Sequence, residues 1–247
     1  GDAVKRELEG KSSYMKQVLA ERETYATMIE DLKPQLSNFA PTDMHQVLAF
    51  TIEVERRLGL LCDERMVLKG FEGWPEKKVE CLREVVARHN ELNRIASGWD
   101  PYGDAWRPKA NVIAELENVM GKFEASSSTV EWYMREKDTL NRQYIAQKIP
   151  FDWNLVKLAR ESSVTLARYS MSLVLDAYGR LDPTDVGKQA GAVRQQLRCA
   201  MQTAFKFAFR CHQFAGGFDS EAKSLFASLK ARLEELEEAN PQSEGDR

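Results

Sequence analysis

The sequence predicts an all-α protein, an elongated bundle of about seven helices, several of them long. Three observations carry this. Apolar residues recur at three- and four-residue steps in nearly every window, which is the helical period. The 8 prolines fall between those periodic runs and not within them. No run alternates with the two-residue period of a strand. At 247 residues, 43% hydrophobic and 30% charged, the chain has enough apolar material for one large domain or two small ones.

The elements follow in order. A first helix is expected over residues 3–32, where Val4, Leu8, Lys11, Met15, Val18, Arg22, Tyr25, Ile29 and Leu32 mark a heptad seam and Pro34 stops it. Residues 1–33 therefore read as a coiled-coil-like helix. The seam can pair with a second copy or with another helix of the same domain. Residues 42–239 read as the main helical domain. Asp43 with Gln46 has the capping-box pattern, and Val47 to Leu68 continue one inner face until Gly70. Trp74-Pro75 opens a third helix with a stripe from Val79 to Ile95. Residues 97–108 are irregular and carry Trp99, Tyr102 and Trp106, which either fold back on the helices or reach another chain. A very long helix covers 109–147, and the weak helix formers Ser126 to Thr129 are expected to bend it. Another covers 154–181.

The next helix, 188–215, organises the rest. Val193, Leu197, Ala200, Met201, Ala204, Phe205, Ala208 and His212 share one face, and Phe207, Cys211 and Phe214 form a second apolar stripe. A helix apolar on two sides belongs between others. Gly216 and Gly217 stop it, and Asp219 can cap a last helix over 220–239. Residues 240–247 are expected to be disordered. From Val186 to Phe218 no acidic residue occurs, while Lys188, Arg194, Arg198, Lys206 and Arg210 do. This stripe is either a solvated face paired with acidic neighbours or a docking surface for an acidic partner.

The sequence offers no catalytic constellation, no metal set and no cofactor motif, so an enzyme is not expected. The 3 histidines are dispersed. Cys211 and His212 are adjacent, so on a helix they point about 100° apart and cannot act together. Ser162 and Ser163 have no base nearby in sequence. Cys62, Cys81, Cys199 and Cys211 sit in helical patterns and read as buried free thiols of a reducing, cytoplasmic compartment. A net charge of −3 argues against broad nucleic-acid binding. No run is apolar enough to span a membrane and none reads as a signal peptide, so no membrane contact is expected from this stretch. The chain begins within a helical pattern, as a piece of a longer protein would.

Three stretches together resemble the C-terminal domain of the plant chloroplast unusual positioning protein family. They are Cys62-Asp63-Glu64-Arg65-Met66-Val67-Leu68-Lys69 with Trp74-Pro75-Glu76-Lys77-Lys78; Ser162 to Met171, following Ile149-Pro150-Phe151-Asp152-Trp153; and Phe207 to Asp219. The similarity runs through nearly the whole chain in the same order; residues 99–106 stand outside it.

The resemblance implies a formin-core-like, dimer-forming domain that binds actin, with or without profilin, and promotes filament assembly. It also implies a full protein at the chloroplast outer envelope or cell cortex, serving chloroplast positioning. Relatives tied to microtubules and cell shape make microtubules the alternative partner; a dimerising scaffold that binds neither polymer is a further one. The run His212-Gln213-Phe214-Ala215-Gly216-Gly217 is similar to the Asn-Tyr-x-Asn-Gly-Gly turn of the formin post, with departures at Gln213 and Ala215. On this reading Arg194, Arg198, Lys206, Arg210 and Gln213 face actin. His212, Phe214, Gly216, Gly217 and Asp219 form the post-like turn, and Trp74, Trp99 and Trp106 touch a second protomer.

Overall fold

A computed structural model describes residues 1–239, and among these every regular element is a helix. The tail expected over 240–247 lies outside the described residues. The helices are α1 (Asp2–Thr24), α2 (Ala26–Asn38), α3 (Met44–Leu58), α4 (Glu64–Leu68), α5 (Glu76–Gly98), α6 (Val112–Ala146), α7 (Asn154–Gly179), α8 (Lys188–Ala215) and α9 (Ser220–Glu238). The count exceeds the expected seven because the first two expected helices are each divided. None of the described helices is long and apolar enough to cross a membrane.

The chain forms two compact units. The first contains residues 1–90 and 137–152. Its expected first helix breaks at Tyr25, where φ is −104° and ψ 11°, and then continues through Pro34 to Asn38. Proline deprives the helix of one bond, but burial of Ile29, Leu32 and Leu36 holds the turns on both sides. The second expected helix stops at Gly59. The chain turns there, and Asp63 starts α4 by accepting a bond from the Met66 N–H at 3.0 Å. Asp43 caps α3 as expected, and only the reciprocal bond of the capping box moves, by one residue. Asp43 accepts from the Gln46 N–H, while the Gln46 side chain accepts from the Thr42 N–H.

Two cations in this unit bond to helix ends. Arg22, which interrupts the heptad seam, donates to the Met66 and Val67 carbonyls at the end of α4. A Cβ at Gly70 would stand 2.6 Å from the Arg22 side chain, so glycine is needed for this approach. Buried Lys78 donates to the Phe39 and Gln147 carbonyls at 2.5 Å each, joining the C-terminal ends of α2 and α6. Their negative dipole ends converge on its ammonium. The start of α1 is different: residues 1–17 are all exposed, with Val4 at 60% and Leu8 at 63%, and Val18 is its one buried residue.

The second unit contains residues 91–136 and those from Trp153 onward. Here α7, α8 and α9 pack on one another. Ala159, Ser163, Ala167 and Ser170 of α7 are buried, as are Ala200, Ala204 and Ala208 of α8. Such small side chains allow two helix backbones to approach closely. Helix α8 is central to this unit, as its composition required. Phe207 and Phe214 meet Phe123 of α6 edge-on at 5.5 and 5.2 Å, and Phe205 stacks on Phe226 of α9 at 4.6 Å. The two apolar stripes merge into one broad buried face from Leu197 to Phe214. Val193 and His212, expected on that face, are exposed: Val193 lies before its first buried residue, and His212 is turned about 100° away from buried Cys211. The serine-threonine run lies within α6, whose 35 residues are continuous.

Candidate partner-binding surface

The basic stripe of α8 is divided by what its members touch. Arg194 is half-buried and donates to the Asp182 carbonyl at 2.7 Å, bracing the loop before the helix. Arg210 forms an ion pair with Glu124 of α6, and its guanidinium lies 5.1 Å from the centre of the Phe123 ring. Arg210 follows the reading of a face paired with an acidic neighbouring helix, whereas Arg194 is held by a backbone carbonyl. Half-buried Arg198 and exposed Lys206 have no hydrogen-bond or ion-pair partner among the described residues, and Gln213 is exposed on the last turn.

The turn after α8 is built by its glycines. Gly216 and Gly217 take φ of 78° and 142°, and both donate their N–H to the His212 carbonyl, at 2.9 and 3.0 Å. Asp219 then caps α9, accepting from the Ala222 N–H at 2.8 Å. Its carboxylate also pairs with Arg168 of α7. Arg160, two turns earlier on α7, donates to the Phe214 carbonyl at 3.3 Å. A Cβ at Gly216 would stand 3.1 Å from the Arg160 guanidinium. The result is an open groove of about 900 Å³ between α7 and the turn, lined by Lys157, Arg160, Arg168, Gly216, Gly217 and Asp219 among others. It joins two stretches that lie far apart in sequence, Ser162 to Met171 and Phe207 to Asp219.

His212 and Phe214, both assigned to the turn motif, point opposite ways. His212 is exposed, with its ring edge-on to Phe218 at 4.9 Å. Phe214 is buried against Phe123 and Trp99. Cys211, next to His212, is buried, and burial drives its thiol far above the usual range. The Ser162 and Ser163 hydroxyls donate to carbonyls within their own helix. The thiols are mixed: Cys81 and Cys211 are buried as expected, but Cys62 and Cys199 are exposed, because each lies on the solvent side of its turn.

Trp99 and Trp106 do not present their faces to a second protomer. They are 2% and 8% exposed inside their own unit, so the loop takes the fold-back arrangement. Trp99 donates to the Lys122 carbonyl at 3.0 Å. Trp106 donates to Glu115 at 3.2 Å. Tyr169 and Asn118 also donate to that carboxylate, at 2.6 and 2.8 Å. Burial pushes the Glu115 carboxyl up, but these donors outweigh it and hold it below the ordinary value. Tyr102 alone of the three aromatics is open, at 66%. Trp74, in the first unit, is half-buried and borders two grooves of about 490 and 470 Å³, one with Lys77 and Lys148, the other with Arg65 and Arg83.

Sequence reasoning overlooked Arg160 and Lys157. The available signal was the four-residue step Arg160, Val164, Arg168, which places two guanidinium groups along one edge of α7.

Residues 82–245 match the family model described as the C-terminal domain of IPGAL1-like proteins. The chain is also similar to the Arabidopsis thaliana protein named Uncharacterized protein At4g04980. The two are 30% identical over 233 residues, which is 92% of this chain and 31% of that protein. The chain thus spans about a third of the length of this curated relative.

Proposed function

Since this chain belongs to the IPGAL1-like C-terminal domain family, we propose that it is a dimeric actin-binding domain that promotes filament assembly. The observation that carries the reading is the groove beside the Gly216-Gly217 turn. There the stretch similar to the formin post meets the Ser162 to Met171 stretch on a surface bearing Arg160, with Lys157 beside Glu161 and Arg168 paired with Asp219 and Glu221. Arg198 and Lys206 extend cationic character along α8. Actin subunits expose carboxylates, and complementary charge steers and orients such encounters. Nucleation is a binding task in which stiff helices hold subunits in place, with no bond made or broken. The cellular role is chloroplast positioning, in the cytoplasm at the outer envelope or the cell cortex, reached through parts of the protein outside this stretch. Its support is the resemblance of the three stretches.

The test is assembly of pyrene-labelled actin, with and without profilin, beside co-sedimentation with actin filaments and with microtubules. Faster assembly and pelleting with actin are expected. Arg198→Glu with Lys206→Glu should weaken both by about tenfold at low salt while leaving the helical content unchanged. Pelleting with microtubules alone would replace actin by the other acidic polymer. Pelleting with neither would leave a scaffold.

A further inference from the structure

Helix α9 carries a charge pattern that the described residues do not satisfy. Lys223, Ala227, Lys230, Glu234 and Glu237 recur at steps of four and three residues, so they share one edge, and all five are exposed. The edge is divided by sign, with cations in the N-terminal half and carboxylates in the C-terminal half. Among the described residues the ion pairs of α9 involve Glu221, Arg232 and Glu235, none of them on this edge. Lys230 and Glu234 are four residues apart, but in the less favourable order, and they make no contact. Glu234, Glu235, Glu237 and Glu238 also crowd the end of the helix where the macrodipole is already negative, and the last turn holds no basic residue. Beside the basic half lies an apolar recess of about 310 Å³, floored by Phe209, Phe218 and Phe226 and rimmed by His212, Lys223 and Lys230. Among the described residues no carboxylate lines it.

We propose that this edge is the contact through which two copies of the domain pair, α9 against α9, antiparallel about a two-fold axis. The four-three spacing sets the register. In antiparallel pairing Lys230 of each copy falls opposite Glu234 of the other, and Ala227 opposite Glu237, with Lys223 one turn further along. Ala227 leaves room for the second helix to approach. Because the contact is isologous, every attraction occurs twice. The carboxylates at each C-terminal end gain cations that no described residue of their own copy supplies, and the C-terminal half of the second α9 covers the aromatic recess. The proposal gives a contact to the dimer in the reading above. Its test uses no polymer, so either can fail alone.

The test is the molar mass of the chain by sedimentation equilibrium over a concentration series, at about 0.05 and about 0.5 M salt. A dimer is expected, with a dissociation constant that rises at least about tenfold at the higher salt. Lys223→Glu with Lys230→Glu should yield a monomer, and so should Glu234→Lys with Glu237→Lys. An equimolar mixture of the two charge-reversed proteins should restore the dimer. Ala227→Arg, which keeps both charged ends, should also split it. All substituted side chains are exposed, so helical content and melting should match the parent. A parent that stays monomeric would overturn the proposal, as would a dimer indifferent to both reversals or a mixture that fails to reassociate. A dimer abolished only by Leu8→Glu with Met15→Glu would also overturn it, and would assign the pairing to the exposed seam of α1.

Discussion

Replacing Glu115 by glutamine tests whether the aromatic loop is held by a buried carboxylate or merely by burial. The side chain is 2% exposed and receives three donors: Trp106 Nε1, Tyr169 Oη and Asn118 Nδ2. Trp106 and Tyr169 converge on one oxygen. An amide oxygen placed there keeps both bonds but loses their charge assistance, a loss of about 1 kcal/mol each. The amide NH₂ then faces the Asn118 NH₂, a conflict that Asn118 relieves by turning its own amide. The expected net loss is about 2 kcal/mol, and Glu115→Ala should lose about 4 because it takes the acceptor from buried Trp106 and from half-buried Tyr169 and Asn118. The assay is urea unfolding followed by tryptophan fluorescence at several pH values. The sign of the pH effect follows from the lowered folded pKa. The Glu115 contribution is fully present above the unfolded value near 4.5 and disappears as pH falls through the folded one. The parent should therefore lose stability below about pH 4.5 more steeply than the glutamine variant. A glutamine variant within about 0.5 kcal/mol of the parent, with the same acid slope, would refute the reasoning.

Lys78→Met keeps the aliphatic stem but removes the ammonium that joins two helix ends, so stability should fall by about 2 kcal/mol after the relief of ammonium desolvation is counted; an unchanged urea midpoint would show that the carbonyls find other donors. Gly216→Ala forces an L residue to a φ of 78° and towards Arg160, which should cost about 1–2 kcal/mol in the same measurement. Native thiol labelling followed by mass spectrometry should modify Cys62 and Cys199. Cys81, whose thiol burial pushes up to about 11, and Cys211 should react only after unfolding.

The helices after residue 75 were legible because their boundaries are set by local chemistry. Asp219, Gly216 and Gly217 define the α8–α9 turn by capping and backbone freedom alone, and the structure places each in that role. The errors lie where tertiary contacts decide. Pro34 reads as a stop because proline removes a helical bond, but three buried apolar side chains around it override that loss. The span from Leu58 to Leu68 keeps helical spacing through a real break. Leu58, Leu61 and Leu68 stay buried across the turn at Gly59, but Cys62 and Arg65, which share that spacing, come out to solvent.

The candidate surface was legible only by halves. An acid-free stretch is visible in sequence, but charge alone does not distinguish Arg210, held by Glu124 from 86 residues away, from Lys206, which is held by nothing among the described residues. That distinction depends on which helix packs beside α8. Helix α7 packs on α8 as well, and both bury small residues, Ala159, Ser163 and Ala167 on α7 and Ala200, Ala204 and Ala208 on α8. Close approach of these two helices brings Arg160 and Arg168 to the glycine turn and forms the groove. A bulky residue at Ala204 would force the pair apart and cost about 1–3 kcal/mol. It would also withdraw both guanidinium groups from the turn. The alanines of the α7–α8 contact are thus as necessary to the cationic surface as the arginines that give it charge, and no pattern of charge in the sequence could have pointed to them.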